Sequence, residues 1–345
     1  MPITMQVPVI FTNKDTAADN NPKFVHCAVK GSTSDEELQL IREMGIDNVD
    51  LNLDYALSNY VSLTAILNRL DWFGLKAGNL SCMPLQKNKL IDLGLEGRDK
   101  EIEKFNTFVK LANKVNVPIV SVAWQPNGIL RSGRTVLRTS HGGISGYVDM
   151  NDINQREAVN GRVYSEEEIW DNFAYFLKKV LPVCEANSVR IVLHPNDPPV
   201  SCLAGVCSLI HSTADYNRAF RLANESESLA MKMCIGCWLE GGDSFGNLME
   251  DIEDFTRRDK IAVVHFRNVS STLPYFEETL AEDGYADMYQ IMKQFVKCGY
   301  HGLMSVDHVF DPHDKNGNHT TEYAYPTGYA KGLLHAAESE LGLRK

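Results

Sequence analysis

Four short apolar runs in the second half of the chain each carry, at or near their carboxyl end, a residue that can ligate a divalent cation. These are His194 closing Val189 to His194, Cys234 in Met231 to Gly236, His265 in Ile261 to Asn268, and Asp307 in Gly302 to His308. Neighbouring strands of a sheet lie roughly 5 Å apart, so side chains at the ends of adjacent strands can converge on one ion. Singly, each residue has a plainer reading. A histidine closing a strand often serves as a hydrogen-bonded structural group, a free cysteine is among the most buried residue types, and Asp307 could cap a turn. The coincidence of imidazole, thiolate, imidazole and carboxylate on four consecutive runs is what points to a metal centre. Cys234-x-x-Cys237 also has the spacing of a redox pair or half a zinc knuckle. No second Cys-x-x-Cys accompanies it, and a strand interior is a poor place for a redox turn. Cys237 differs in parity from Cys234 and falls beyond Gly236, where the strand is expected to end, which favours Cys234 as the ligand. Thiolate and imidazole suit zinc or ferrous iron, whereas carboxylate and open water positions suit manganese, so donor type alone leaves the metal open.

Holding these groups together requires a parallel sheet. The chain alternates short apolar runs with longer segments of helical period. Strands are expected at Phe24 to Val29, Asn48 to Leu53, Leu75 to Cys82 and Pro118 to Trp124, followed by the four runs above. Capping boxes at Ser34/Glu37 and Ser165/Glu168 start two of the intervening helices, and Ile102, Phe105, Phe108, Val109 and Ala112 form the buried stripe of a third. Further helical segments lie around 214–224, 247–256, 287–298 and 327–341. Eight strand-then-helix units in 345 residues predict a closed (β/α)8 barrel in one domain, 1–345. An open doubly wound sheet is the alternative, weakened by the lack of a Gly-x-Gly-x-x-Gly turn after the first strand. In a barrel the site forms at the carboxyl ends of the strands, where the four candidate ligands stand. The Gly-, Ser-, Arg- and Asn-rich stretch from Gln125 to Tyr164 reads as a long inserted loop carrying Arg131, Arg134, Arg138 and His141, either a lid over an anionic ligand or a surface contact.

Composition narrows the partners. Hydrophobic residues make up 44% and charged residues 23%, as in globular proteins with a large core. A net charge of −11 argues against nucleic acid or an anionic membrane surface as the main partner. The first twenty residues show no basic start followed by an apolar run, so no export signal is expected. Eight scattered cysteines then read as reduced thiols in a cytoplasm.

The residues resemble those of the mannonate dehydratase family, among the xylose-isomerase-like barrels. The matching pieces are His194-Pro195-Asn196-Asp197-Pro198-Pro199, Cys234-Ile235-Gly236-Cys237, Val264-His265-Phe266-Arg267-Asn268, the segment Asp283 to Tyr289, and Asp307-His308. The first and third together are specific; the others are weak singly. The resemblance implies metal ligands His194, Cys234, His265 and Asp307, with manganese or ferrous iron as the ion; zinc and cobalt are the further candidates. It places the family's catalytic histidine on His308 and its catalytic tyrosine on Tyr329. It implies a hydro-lyase that takes D-mannonate to 2-keto-3-deoxy-D-gluconate and water, acting as a homo-oligomer. Arg267, Asn268 and Arg138 are the expected substrate-binding residues, Arg267 either pairing with the substrate carboxylate or supporting the site by an ion pair. The sequence departs from the family pattern around Asp307-His308, where Ser305-Val306 precede and Val309-Phe310 follow. The fold and the metal therefore carry over better than the substrate. The rivals are a sugar isomerase or epimerase on the same barrel, which would call for paired carboxylates, a barrel that binds a sugar acid without turning it over, and a metal-free structural protein.

Overall fold

The computed structural model describes residues 33–158, 160–308 and 319–343, without the side chains of Arg138 and 319–323. The expected strand at Phe24 to Val29 lies outside the described residues. Seven parallel strands follow one another in both sequence and space: β1 (Asn48–Asn52), β2 (Lys76–Ser81), β3 (Ile119–Ala123), β4 (Arg190–His194), β5 (Leu229–Cys234), β6 (Ile261–Phe266) and β7 (Leu303–Val306). Helices alternate with them: α1 (Asp35–Glu43), α2 (Tyr60–Trp72), α3 (Arg98–Lys114), α4 (Glu166–Ala186), α5 (Thr213–Leu222), α6 (Leu248–Arg257), α7 (Met288–Lys297) and α8 (His319–Glu340). Both expected capping boxes form, with Ser34 and Ser165 each exchanging hydrogen bonds with the glutamate three residues on. The acidic first turns of α1 and α4 add favourable charge at the positive end of each helix dipole.

The sheet curls. Asp50 on β1 comes within 3.9 Å of the Lys232 ammonium on β5. A Cβ on Gly78 of β2 would stand 2.7 Å from the Leu303 side chain on β7, so glycine lets the far strand approach. Strand parity explains what fills the space inside. Alternate residues of each strand face inward, and Val192, Ala230, Val263 and Leu303, with Ala262, form a small apolar cluster separate from the main core. The main core lies between sheet and helices. There the stripe predicted on α3 is buried, and Phe105 meets Phe176 of α4 edge to face with ring centroids 5.4 Å apart.

The segment Gln125 to Tyr164, expected as a loop, instead carries two strands, Gly133–Val136 and Ile144–Asp149, and a short helix, Met150–Asn154. Ile144–Asp149 pairs antiparallel with Tyr275–Thr279, which pairs in turn with Asn268–Val269. A four-stranded antiparallel sheet is thus built beside the carboxyl end of the barrel from two distant pieces of chain. No helix among the described residues is long and apolar enough to cross a membrane.

Candidate active site and metal centre

His194 and Cys234 are the last residues of β4 and β5, His265 is the penultimate residue of β6, and Asp307 follows β7 directly. Cys234 pairs in register with His265, and His265 with Ser305, so Asp307 is the next inward position beyond Ser305. One donor atom from each of the four lies within 4.8 Å of the others. His194 Nδ1 bonds the Pro195 carbonyl at 2.7 Å, which assigns its proton to Nδ1 and leaves Nε2 free to face the cluster. His265 Nδ1 stands 3.2 Å from Asp307 Oδ2. Burial pushes the Cys234 thiol up. The hydrogen bond from Cys237, the Arg267 guanidinium and the two imidazoles outweigh it and hold the pKa well below the usual thiol range. Asp307 is likewise held well below the carboxylate range, burial being outweighed by His308, His265 and Arg267. Burial also lowers the His194 pKa, favouring the neutral ring. A thiolate, a carboxylate and two imidazoles within reach of one another are a donor set that fits a divalent ion. The strand bearing Cys234 ends at that residue, and Cys237 sits one turn along the helix Ile235–Gly241.

Behind this cluster lies a buried network of charges. Arg131 donates to both oxygens of Asp197 at 2.6 and 3.0 Å and approaches Glu278 Oε1 at 2.7 Å. Arg267 donates to Asp197 at 3.0 Å, lies 2.6 Å from Glu240 Oε1, and stands 3.4 Å from Asp307. Burial pushes Asp197 up, but Arg131 and Arg267 outweigh it and keep the carboxylate ionised. At Glu240 burial outweighs Arg267 and raises the pKa well above the usual carboxylate range. A second group of potential metal donors, Asp197, Cys237 and Glu240, surrounds Arg267, whose guanidinium is the cation that serves them. The passage of that guanidinium depends on Gly236, where a Cβ would lie 2.2 Å from Arg267 Cζ.

His308 follows Asp307 in a left-handed backbone conformation, φ 49°. Its Nδ1 meets Glu278, on the antiparallel sheet, while Nε2 stands 3.6 Å from Asp307 Oδ2. Burial lowers the His308 pKa, and Asp307 with Glu278 overcomes this and raises it. The other expected residues are placed differently. Arg267 lies within ion-pair distance of Asp197, Glu240 and Asp307, the contacts of its expected supporting role. Asn268 is buried, donating to the Ala281 and Ala286 carbonyls, and does not line the cavity. The Arg138 backbone lies in the turn Arg138–Ser140, on the antiparallel annex. Tyr329 sits half-buried on α8, its phenol pushed up by burial and then by Glu282, Asp287 and Asp283, and it does not line the cavity beside His308.

That cavity, about 170 Å³, is lined by His194, His265, Asp307 and His308. Asp50 and Asn52 of β1, Ser81 of β2 and Ser121 of β3 add polar groups, as do Lys232 of β5 and Lys87 at the end of the short helix Met83–Gln86. Sequence reasoning missed Glu278, Lys87, Asp50 and Lys232. Lys232 had a signal: it lies two residues before Cys234, at the same parity, in an otherwise apolar strand.

Comparison with known proteins agrees with this geometry. The profile of the D-mannonate dehydratase (UxuA) family matches residues 134–341, more than half of the chain, including all four candidate ligands. The mannonate dehydratase of Lactococcus lactis subsp. cremoris is 30% identical over 181 residues, 50% of this chain and 49% of that relative, so the alignment spans about half of the relative's length. The crystal structure of mannonate dehydratase from Streptococcus suis serotype 2 superposes with a TM-score of 0.80 at 20% identity, covering 99% of this chain and 97% of that one. A xylose isomerase-like TIM barrel protein from Mycobacterium smegmatis, solved in complex with magnesium, matches with a TM-score of 0.55 at 14% identity, covering 88% of each chain. The two structural likenesses identify the fold as a xylose-isomerase-like TIM barrel, and with the profile match on top of them the chain belongs to the D-mannonate dehydratase (UxuA) family.

Proposed function

We propose that the chain is a metal-dependent hydro-lyase that removes water from a sugar acid, converting D-mannonate to 2-keto-3-deoxy-D-gluconate. The observation that carries this reading is the convergence of His194, Cys234, His265 and Asp307 at one end of the barrel with His308 beside them. A divalent ion held by those four would supply Lewis acidity toward the substrate carboxylate and its neighbouring hydroxyl. Manganese or ferrous iron is the proposed ion, with zinc and cobalt as further candidates.

The reaction removes the proton at C2 and expels the C3 hydroxyl as water, and the resulting enol becomes the 2-keto acid. His308 is the proposed group for proton transfer at Nε2, since Glu278 occupies Nδ1 and fixes the ring. The Glu278 carboxylate stabilises the ring when it carries a second proton, and Arg131 and Arg267 hold the surrounding carboxylates in place. The partner that handles the other proton is unassigned among the groups lining the cavity; Tyr329 would have to reach it from α8. A homo-oligomer in a reducing cytoplasm completes the proposal, and the seven cysteines among the described residues are all free thiols.

The test is a panel of sugar acids incubated with the manganese-loaded protein and read by appearance of a 2-keto-3-deoxy acid. Product from D-mannonate supports the reading. Ketose–aldose exchange without that product would replace it with the isomerase alternative.

A further inference from the structure

We propose that Lys87 and Lys232 form a subsite that receives the carboxylate end of a sugar monoacid, with Asp50 beside them accepting a substrate hydroxyl. The proposal rests on the reading of the cavity as a sugar-acid dehydratase site and specifies how that site selects its ligand.

Lys232 points inward from β5 one inward position before Cys234, and it is only 5% exposed. Its nearest carboxylate oxygen, on Asp50, is 3.9 Å away, beyond a hydrogen bond. Lys87 reaches the same cavity from the end of the short helix Met83–Gln86 that follows β2, and its side chain makes no hydrogen bond or ion pair among the described residues. Asp50 is 2% exposed, and neither of its carboxylate oxygens accepts a hydrogen bond. A buried charge without a close partner is costly, so Lys232 and Asp50, with the half-buried Lys87 beside them, describe a site whose complement is missing. Asn52, Ser81 and Ser121 line the same wall and can bond to a polyol chain.

The charges select among ligands. Cys234 and Asp307 together balance a divalent ion, which leaves two ammoniums against the single carboxylate of Asp50. That wall carries one positive charge in excess, the complement of a monocarboxylate. A neutral sugar would leave the excess unmatched, and a dicarboxylate would exceed it. Arg267, the cation expected in this role, is already committed to Asp197, so the task falls to the two lysines.

The experiment uses the manganese-loaded protein in a His308→Ala background, which blocks turnover, and measures binding of D-mannonate and of neutral D-mannitol by calorimetry. Lys87→Gln and Lys232→Gln are each expected to weaken D-mannonate by about 10-fold or more, the cost of a lost charge-assisted hydrogen bond, while D-mannitol is unaffected. Lys87→Arg should restore most of the loss, and manganese content should not change. Equal weakening of both ligands, or D-mannonate affinity unchanged in variants that keep their metal, would overturn the proposal. If a variant fails to fold, acylation of the His308→Ala protein read by mass spectrometry replaces it: D-mannonate should protect Lys87 and D-mannitol should not. Equal labelling of Lys87 with and without D-mannonate overturns the proposal. The two readings fail separately. Lysine-dependent binding of D-mannonate without turnover in the His308-containing protein removes the dehydratase and keeps the subsite; turnover with lysine-independent binding does the reverse.

Discussion

Glu278→Gln tests whether the His308 ring depends on the charge behind it. The substitution keeps the shape and an acceptor oxygen but removes the negative charge that meets Nδ1. A hydrogen bond to a charged group contributes about 1.5–3 kcal/mol, against about 0.5–1.5 kcal/mol for a neutral one. The protonated ring should therefore lose about 1–2 kcal/mol of support in the transition state, or about 5- to 30-fold in kcat. The fold should suffer less than from a severed lone pair. Arg131 keeps both bonds to Asp197, and Asp197 keeps Arg267, so no cation is stranded. Steady-state kcat on D-mannonate, with elemental analysis of the same samples, provides the measurement. An unchanged kcat would refute the orienting role, and so would a loss that tracks metal content in proportion.

Cys234→Ser should leave a folded barrel with lowered metal occupancy. Cys237→Ala, which removes a donor to the Cys234 sulfur, should weaken metal affinity by about 10- to 100-fold, both read by elemental analysis after dialysis. Gly236→Ala should destabilise the chain by about 1–3 kcal/mol, because the new methyl would overlap the Arg267 guanidinium; an unaltered melting temperature would contradict that packing. Acid should weaken the charge network. The folded-state pKa of Glu278 lies below its ordinary value, so its contribution is complete above about pH 4.5 and declines as the pH falls further. The melting temperature should drop below that pH less steeply in Glu278→Gln than in the parent, and parallel curves would refute the assignment.

The barrel and the convergence of His194, Cys234, His265 and Asp307 were legible because both are written in local signals. The strands have apolar runs, the helices have caps and stripes, and a ligand at a strand end has a predictable direction. Lys232 was equally local but was passed over, since a lysine in a strand is readily taken for an outward-facing residue. Glu278 was not legible. It lies in the short strand Tyr275–Thr279, whose pairing partner Ile144–Asp149 is some 130 residues earlier, in a stretch whose Gly and Ser content reads as loop. The placement of Arg267 and Asn268 turned on burial. A charged or amide side chain just beyond a strand end is as able to face the helix layer as the cavity, and only the packing of Asp197, Glu240 and the Ala281 and Ala286 carbonyls decides it.

The antiparallel annex separates two duties that a barrel often combines. The four candidate donors stand at the ends of the central staves, whereas Glu278 and Arg131 come from an appendage joined by contacts that span more than a hundred residues. On the proposed roles, a change in the appendage would retune how His308 delivers a proton without touching the four candidate donors.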